Sequence, residues 1–262
     1  WSGDEVAESS TRQAGLQSWL KVLRGGHSIA LACACRDDQR CHTSTVSRYL
    51  TSMTKCEECT PMEDESQSQR RVHLIVYAGD PTIKTRLAAQ IMRQSPGDSV
   101  REVDILNGDD HDLRNSELLK ELIKGILEGK FASVHVAIPC SSYAIVRGEK
   151  LRSKREPRGM TPIPPQWRNY LNKHNALTDA GLDIIDACRQ RGIRWTLENP
   201  AQRADRSTDA YWERFEDWGF LWDLDRVKDY EVEGAVRFLL PHCFFGSDEQ
   251  KYIEILVCKD LV

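Results

Sequence analysis

No apolar run in the 262 residues approaches the roughly 20 that a membrane-spanning helix requires, so no membrane partner is expected. The opening ten residues, WSGDEVAESS, are polar and acidic and lack the apolar core of a secretory leader. The chain opens on Trp1 rather than Met, which reads as a fragment of something longer. No charge of one sign dominates: a formal net charge of -4 gives no global case for nucleic-acid binding. No internal repeat is present. A hydrophobic content of 40% with 29% charged residues excludes a collagen-like chain, a coiled coil and a disordered tail. The length suits one large domain, or a main domain with a small appendage.

The charge average hides two opposed blocks. Ala144 to Lys173 holds eight Lys/Arg against two Glu, whereas Thr196 to Gly234 holds eleven Asp/Glu against five Lys/Arg. The basic block is either a local phosphate-steering surface or a solvated face.

Nine cysteines is an odd number for a disulfide framework, and no secretory leader precedes them. A reducing compartment is expected, intracellular, nucleus or cytoplasm. Cys33, Cys35, Cys41, Cys56 and Cys59 crowd the start, while Cys140, Cys188, Cys243 and Cys258 stand singly. Cys56-x-x-Cys59 has the spacing of two ligands to one zinc ion; a reactive pair near Cys41-His42 and a plain structural role are the alternatives. Cys188 and Cys258 fall on apolar faces and are read as core.

The segment TPMEDESQSQR from Thr60 to Arg70 is acidic and amide-rich and reads as a linker. It divides a cysteine-rich N-terminal piece, residues 1–59, from a second unit, residues 71–262, in which strand-like and helix-like runs alternate. Val72 to Tyr77 is the first strand, and Thr82 to Arg93 has helical spacing. Ser99 to Leu106 is a second strand. Ser116 is expected to cap a helix carrying Leu118, Leu119, Leu122, Ile123, Ile126 and Leu127. Val134 to Ile138 is a third strand. Trp167 to Arg191 is a long helix stopped by Gly192, and Ile193 to Leu197 a fourth strand, with Glu198-Asn199-Pro200 at its end. Val236 to Leu240 and Tyr252 to Val257 close the sheet as an antiparallel pair. Such alternation predicts an α/β fold with an open, doubly wound, mostly parallel sheet and helices on both faces. Ligands of such sheets sit beyond the carboxyl ends of the strands.

Those ends hold the chemically distinctive residues: Tyr77-Ala78-Gly79-Asp80, then Asp104, then Pro139-Cys140-Ser141-Ser142, then Glu198-Asn199-Pro200. A carboxylate at the end of the second strand is placed to hold ribose hydroxyls. Asp112, in His111-Asp112-Leu113, could receive an adenine amino group.

Pro-Cys at one strand end and Glu-Asn at the next resembles the catalytic pair of the DNA (cytosine-5) methyltransferases, over about Val72 to Val257. More narrowly, the chain resembles the divergent methyltransferase-like domains of viral and retroelement-derived polyproteins. There too a basic segment follows the Pro-Cys, and a Cys-Phe-x-Gly…Lys element, here Cys243 to Lys251, precedes the last strand. The resemblance implies a Rossmann-like methyltransferase sheet binding S-adenosylmethionine. It implies cofactor contacts at Tyr77, Gly79, Asp80, Asp104, Asp112 and Pro139. Cys140 becomes the nucleophile and Glu198 the acid on the pyrimidine ring, with Arg147 assisting. The chain departs from the family pattern in the single glycine of YAGDP, in Ile138 before Pro139-Cys140, and in Pro200 after Glu198-Asn199. Ala30 to Leu50 resembles the end of a small domain family with Cys-x-Cys followed by Cys-His.

The chemistry explains the residue types. Carbon 5 of cytosine is a poor nucleophile until a thiolate adds to carbon 6. A depressed thiol pKa favours that addition, and a carboxyl at ring nitrogen 3 assists it. The base must leave its stack, with Lys150, Arg152, Lys154, Arg155 and Arg158 expected along the phosphates. The expected partner is DNA, with RNA and the oligomeric state left open. A catalytically decayed nucleic-acid-binding module is the alternative. A thiol hydrolase built on Cys140 would need a histidine base nearby, and that reading is disfavoured because His135 falls in a predicted strand and His174 on a helix.

Overall fold

A computed structural model describes residues 70–83, 86–145, 148–241 and 252–261. The cysteine-rich piece with its zinc reading, Arg147, and the segment from Cys243 to Lys251 lie outside the described residues.

The described residues form an α/β unit with a six-stranded mixed sheet and four α-helices, compatible with a Rossmann-like arrangement. The strands are β1 (Val72–Val76), β2 (Ser99–Val103), β3 (Ser133–Ala137), β4 (Arg194–Pro200), β5 (Val236–Pro241) and β6 (Tyr252–Val257). The helices are α1 (Leu87–Gln94), α2 (Ser116–Leu127), α3 (Pro165–Arg191) and α4 (Asp225–Val232). The spatial order is β2-β1-β3-β4-β6-β5. β1 pairs in parallel with β2 and β3, and β3 with β4, while β6 runs antiparallel to both β4 and β5. The expected closing antiparallel pair is present.

Alternation along each strand decides which helix it meets. Leu74, Val76, Val134, Val136, Trp195, Leu197 and Leu256 point to one face and form the main core with Leu122, Ile126, Leu182, Ile184, Val227 and Tyr230 of α2, α3 and α4. Ile75 and Val100 point to the other, where Leu87, Ala88 and Ile91 of α1 cover them. Right-handed crossovers require this split, because the chain steps one way from β1 to β2 and the other way afterwards. Cys188 and Cys258 are buried, as their apolar faces predict, and burial pushes the Cys188 thiol up to about 12. None of the described helices is long and apolar enough to cross a membrane.

Several boundaries move for identifiable reasons. The first helix starts at Leu87, not Thr82, because the Asp80 carboxylate accepts from the Thr82 N–H and hydroxyl and closes a turn. β2 stops at Val103, because Asp104 accepts from the Leu106 N–H and opens a 3-10 turn. The cap of α2 is Asn115, whose side-chain oxygen accepts from the Glu117 N–H at 3.0 Å, so Ser116 is already helical. α3 begins on Pro165 and ends on Gly192, whose φ of 73° is the left-handed stop expected of it. β4 runs on to Pro200 because β6 pairs with it there, matching Glu198 to Ile255, Asn199 to Glu254 and Pro200 to Ile253. Glu198 therefore lies inside the sheet rather than in the loop beyond it.

Candidate active site

The chain leaves β1 for β2 on one side and later reaches β3 on the other, so the strand order reverses between β1 and β3. The crevice beyond their carboxyl ends is where an open α/β sheet takes its ligand. Tyr77-Ala78-Gly79 leaves β1 there, and Ile138-Pro139-Cys140 leaves β3.

On the β1 side, Tyr77 has a φ of 60°, the one positive value among the described residues other than glycine. Such strain is held only where its surroundings fix it. Here its N–H donates to the Val103 carbonyl at 2.8 Å and its hydroxyl to the Leu177 carbonyl of α3. Burial first, then the Asp112 and Asp104 carboxylates, push the Tyr77 phenol far up, so it stays a neutral donor beside two acids. Gly79, at φ 78°, donates its N–H to Asp104 Oδ2 at 2.9 Å, and no heavy atom lies within 4 Å of where a Cβ would stand. Asp104 Oδ1 accepts from the Leu106 N–H at 2.9 Å. Two backbone donors thus aim this carboxylate while each oxygen keeps a lone pair, an arrangement that fits ribose hydroxyls. Asp112 does not fit its expected part. Its oxygens accept from the Arg114 guanidinium at 2.5 to 3.0 Å, and that bond foremost holds its carboxyl below the usual range. It braces Arg114 rather than offering itself to an adenine amino group. Asp80 is exposed and spent on the Thr82 turn.

On the β3 side, Pro139 leads into a single 3-10 turn, Cys140–Ser142, closed by the Tyr143 and Ala144 N–H groups donating to the Cys140 carbonyl, both at 2.8 Å. The turn leaves Cys140 exposed while Ser142 and Tyr143 go into the core. Glu198 is the neighbour in β4 of Ala137, three residues before Cys140, and is half-buried. The adjoining Asn199 is fully buried at 0% exposure, and its Nδ2 donates to the Ile138 carbonyl at 2.8 Å. That bond ties the strand of Glu198 to the turn of Cys140. Asn199 was expected only as part of a Glu-Asn motif; a buried amide at a strand end is the signal that marks it as structural glue.

Helix α3 closes the site from one side. Tyr170 donates its hydroxyl to Ser141 Oγ at 3.0 Å, and His174 Nε2 lies 3.2 Å from the same oxygen. The fold thus brings His174 to the residue beside Cys140, whereas His135 stays in the sheet against Thr196 Oγ1 at 2.7 Å, its burial pushing its pKa down to about 4.

The five cations expected along phosphates part company. Lys154 and Arg155 are exposed. Lys150 pairs with Asp217, and Arg158 with Asp179. Arg152 is corrected outright: at 2% exposure it is a core residue, bonded to Ser142, Asn175 and the Pro157 carbonyl. A run of Lys and Arg cannot show which member the fold takes inside. Among the described residues no group of three or more His, Cys, Asp and Glu is arranged to hold a metal ion.

Comparison with protein-family models finds none that matches the chain, and comparison with curated proteins finds no significant relative.

Proposed function

We propose that the chain is a methyltransferase-like domain that transfers a methyl group from S-adenosylmethionine to carbon 5 of cytosine in DNA through a covalent adduct on Cys140. The observation that carries this reading is the Asn199 bridge. It fixes the turn presenting an exposed Cys140 against the strand bearing Glu198, at the crevice where the strand order reverses.

When bound, S-adenosylmethionine would supply an electrophilic methyl group to carbon 5, the electrons of the broken sulfur–methyl bond leaving with S-adenosylhomocysteine. Asp104, aimed by the Gly79 and Leu106 N–H groups, would hold its ribose, with Tyr77 alongside. The Cys140 thiolate adds to carbon 6 of the extruded base, and the ring carries the resulting electron pair toward carbon 5. Glu198 donates to ring nitrogen 3 and stabilises the electron-rich ring. After transfer, loss of the carbon 5 proton to a base returns the electrons to the ring and expels the thiolate. Lys154 and Arg155 lie on the basic loop and would contact the phosphates.

The decisive experiment is trapping with a 5-fluorocytosine oligonucleotide plus S-adenosylmethionine, read by mass spectrometry. Fluorine at carbon 5 blocks the final elimination, so a covalent adduct on the Cys140 peptide is expected. Cys140→Ser should form none while still binding the cofactor. An adduct that persists in that variant removes Cys140 from the mechanism, and a wild-type chain that gives no calorimetric signal with S-adenosylmethionine favours the decayed, binding-only module.

A further inference from the structure

We propose that Ser133, His73 and Asp98 form a second, hydrolytic site at the amino ends of the strands, with Ser133 the nucleophile toward small carboxylic esters. The inference does not rest on methyl transfer, whose crevice lies at the opposite ends of the same strands.

Period-two alternation gathers the three side chains on one face of the sheet. The register sets His73 of β1 beside Ser133 of β3 and beside Val100 of β2, and Asp98 stands two residues before Val100, just ahead of β2. Ser133 Oγ lies 2.7 Å from His73 Nδ1, and Asp98 Oδ2 lies 3.1 Å from His73 Nε2. The Arg71 guanidinium grips the same carboxylate, Nε to Oδ1 at 3.2 Å and Nη2 to Oδ2 at 3.0 Å. The side chains of His73 and Asp98 are 16% and 8% exposed, so the bond between them is largely shielded from water. Each member stands on a strand or at its start, which holds the geometry rigidly.

These bonds decide which group donates and which accepts. Burial alone would push the Asp98 carboxyl up, but the Arg71 and His73 bonds outweigh it and hold it below the usual carboxylate range. An ionised carboxylate only accepts, so Nε2 of a neutral His73 carries the ring proton and Nδ1 is bare. Nδ1 then accepts from the Ser133 hydroxyl, at a distance within reach of proton transfer. A hydroxyl on a base that a buried acid orients is the arrangement of an activated serine nucleophile. Arg71 alone would satisfy Asp98. The further bond to His73 serves the imidazole, holding its tautomer and stabilising the imidazolium.

Ser133 Oγ attacks the ester carbonyl carbon while its proton passes to His73 Nδ1, and the carbonyl π electrons move onto oxygen. Arg71, exposed and with Nη1 unengaged among the described residues, is the nearby cation for that oxyanion. Collapse expels the alcohol, which takes the proton from Nδ1. Water then adds to the acyl-serine by the same route, and collapse returns the proton to Ser133 and releases the carboxylic acid. Ser133 is half-buried within β3, which limits the acyl group to a small one.

The test is labelling of the full chain with a small alkyl fluorophosphonate, which bonds phosphorus to an activated serine oxygen and loses fluoride. The modified peptide is identified by mass spectrometry, and hydrolysis of p-nitrophenyl acetate is followed alongside. The wild type should carry the label on Ser133 and lose its hydrolysis in proportion. His73→Gln should lower labelling and hydrolysis by about 100-fold or more. Asp98→Asn, whose amide can donate to Nε2 and favour the other tautomer, should do the same with Ser133 and His73 in place. A wild-type chain with no label on Ser133 overturns the proposal without need of any variant, and so does labelling at full rate in folded His73→Gln. Where that variant fails to fold, Asp98→Asn decides in its stead. Label on Ser141, which His174 contacts, in place of Ser133 also overturns it. Label on Ser133 with no fluorocytosine adduct keeps this site and discards methyl transfer, so the two failures are distinct.

Discussion

Glu254 is a carboxylate in the middle of β6 with 4% exposure, held by the Gln202 N–H at 3.3 Å and by Arg237 at 3.5 Å. Burial, outweighing Arg237, raises its pKa to about 7. The folded chain therefore keeps a proton that an unfolded chain gives up near its ordinary 4.5. Stability from this group is complete below that ordinary value and is lost as pH rises through about 7. Glu254→Gln should remove this loss, so its urea midpoint should gain on the wild type from pH 5 to 8, by on the order of 2–3 kcal/mol. A constant difference across that range would refute the assignment. At this scale the placing of Cys140 and Glu198 on adjoining strands was legible, because the strands that carry them are marked by local apolar runs. Asn199, Arg152 and the Tyr170–Ser141–His174 contacts were not. Their roles depend on burial and on partners 5 to 61 residues away in sequence, which local pattern does not encode.

Among the elements, α3 lies close enough to β3 that a Cβ on Gly181 would stand 2.9 Å from Ile138 Cγ1. Ile138 is the residue whose carbonyl Asn199 holds. Gly181→Ala should therefore do two things: destabilise by about 1–3 kcal/mol through overpacking, and slow adduct formation at Cys140 by disturbing its turn. Denaturant titration and the fluorocytosine assay measure each. Asn115→Ala, by contrast, removes only the cap of α2 and should cost about 1 kcal/mol with the site untouched. The strands and long helices were legible from periodicity, because a face of aliphatics at a regular spacing is a local property. Several of their ends were not, since the start of α1, the end of β2, the cap of α2 and the end of β4 are each decided by one hydrogen bond or by a strand far along the chain, whereas Gly192 marked the end of α3. α4, with two buried residues in eight, offered too narrow an apolar stripe to be seen.

For the molecule as a whole, doubly wound topology followed from the order of strands and helices, and it located the crevice before any side chain was placed. The charge map did not follow. Of the basic loop, Lys154 and Arg155 are the pair exposed to solvent without an acid bonded to them among the described residues. Replacing both by Gln should lower the slope of log affinity for DNA against log salt by about 1–2. Replacing Lys150 by Gln should leave the slope near its wild-type value. An unaltered slope in the double variant would return the loop to a solvated face.

The last strand of the sheet to be synthesised, β6, is not at an edge but slots between β4 and β5. On the ribosome, β5 emerges before the partner that must hold it, and the side of β4 stays open until residues near 257 have cleared the exit tunnel. A chain cut short before Tyr252 would carry two raw sheet margins, the kind of product that joins other copies of itself instead of folding.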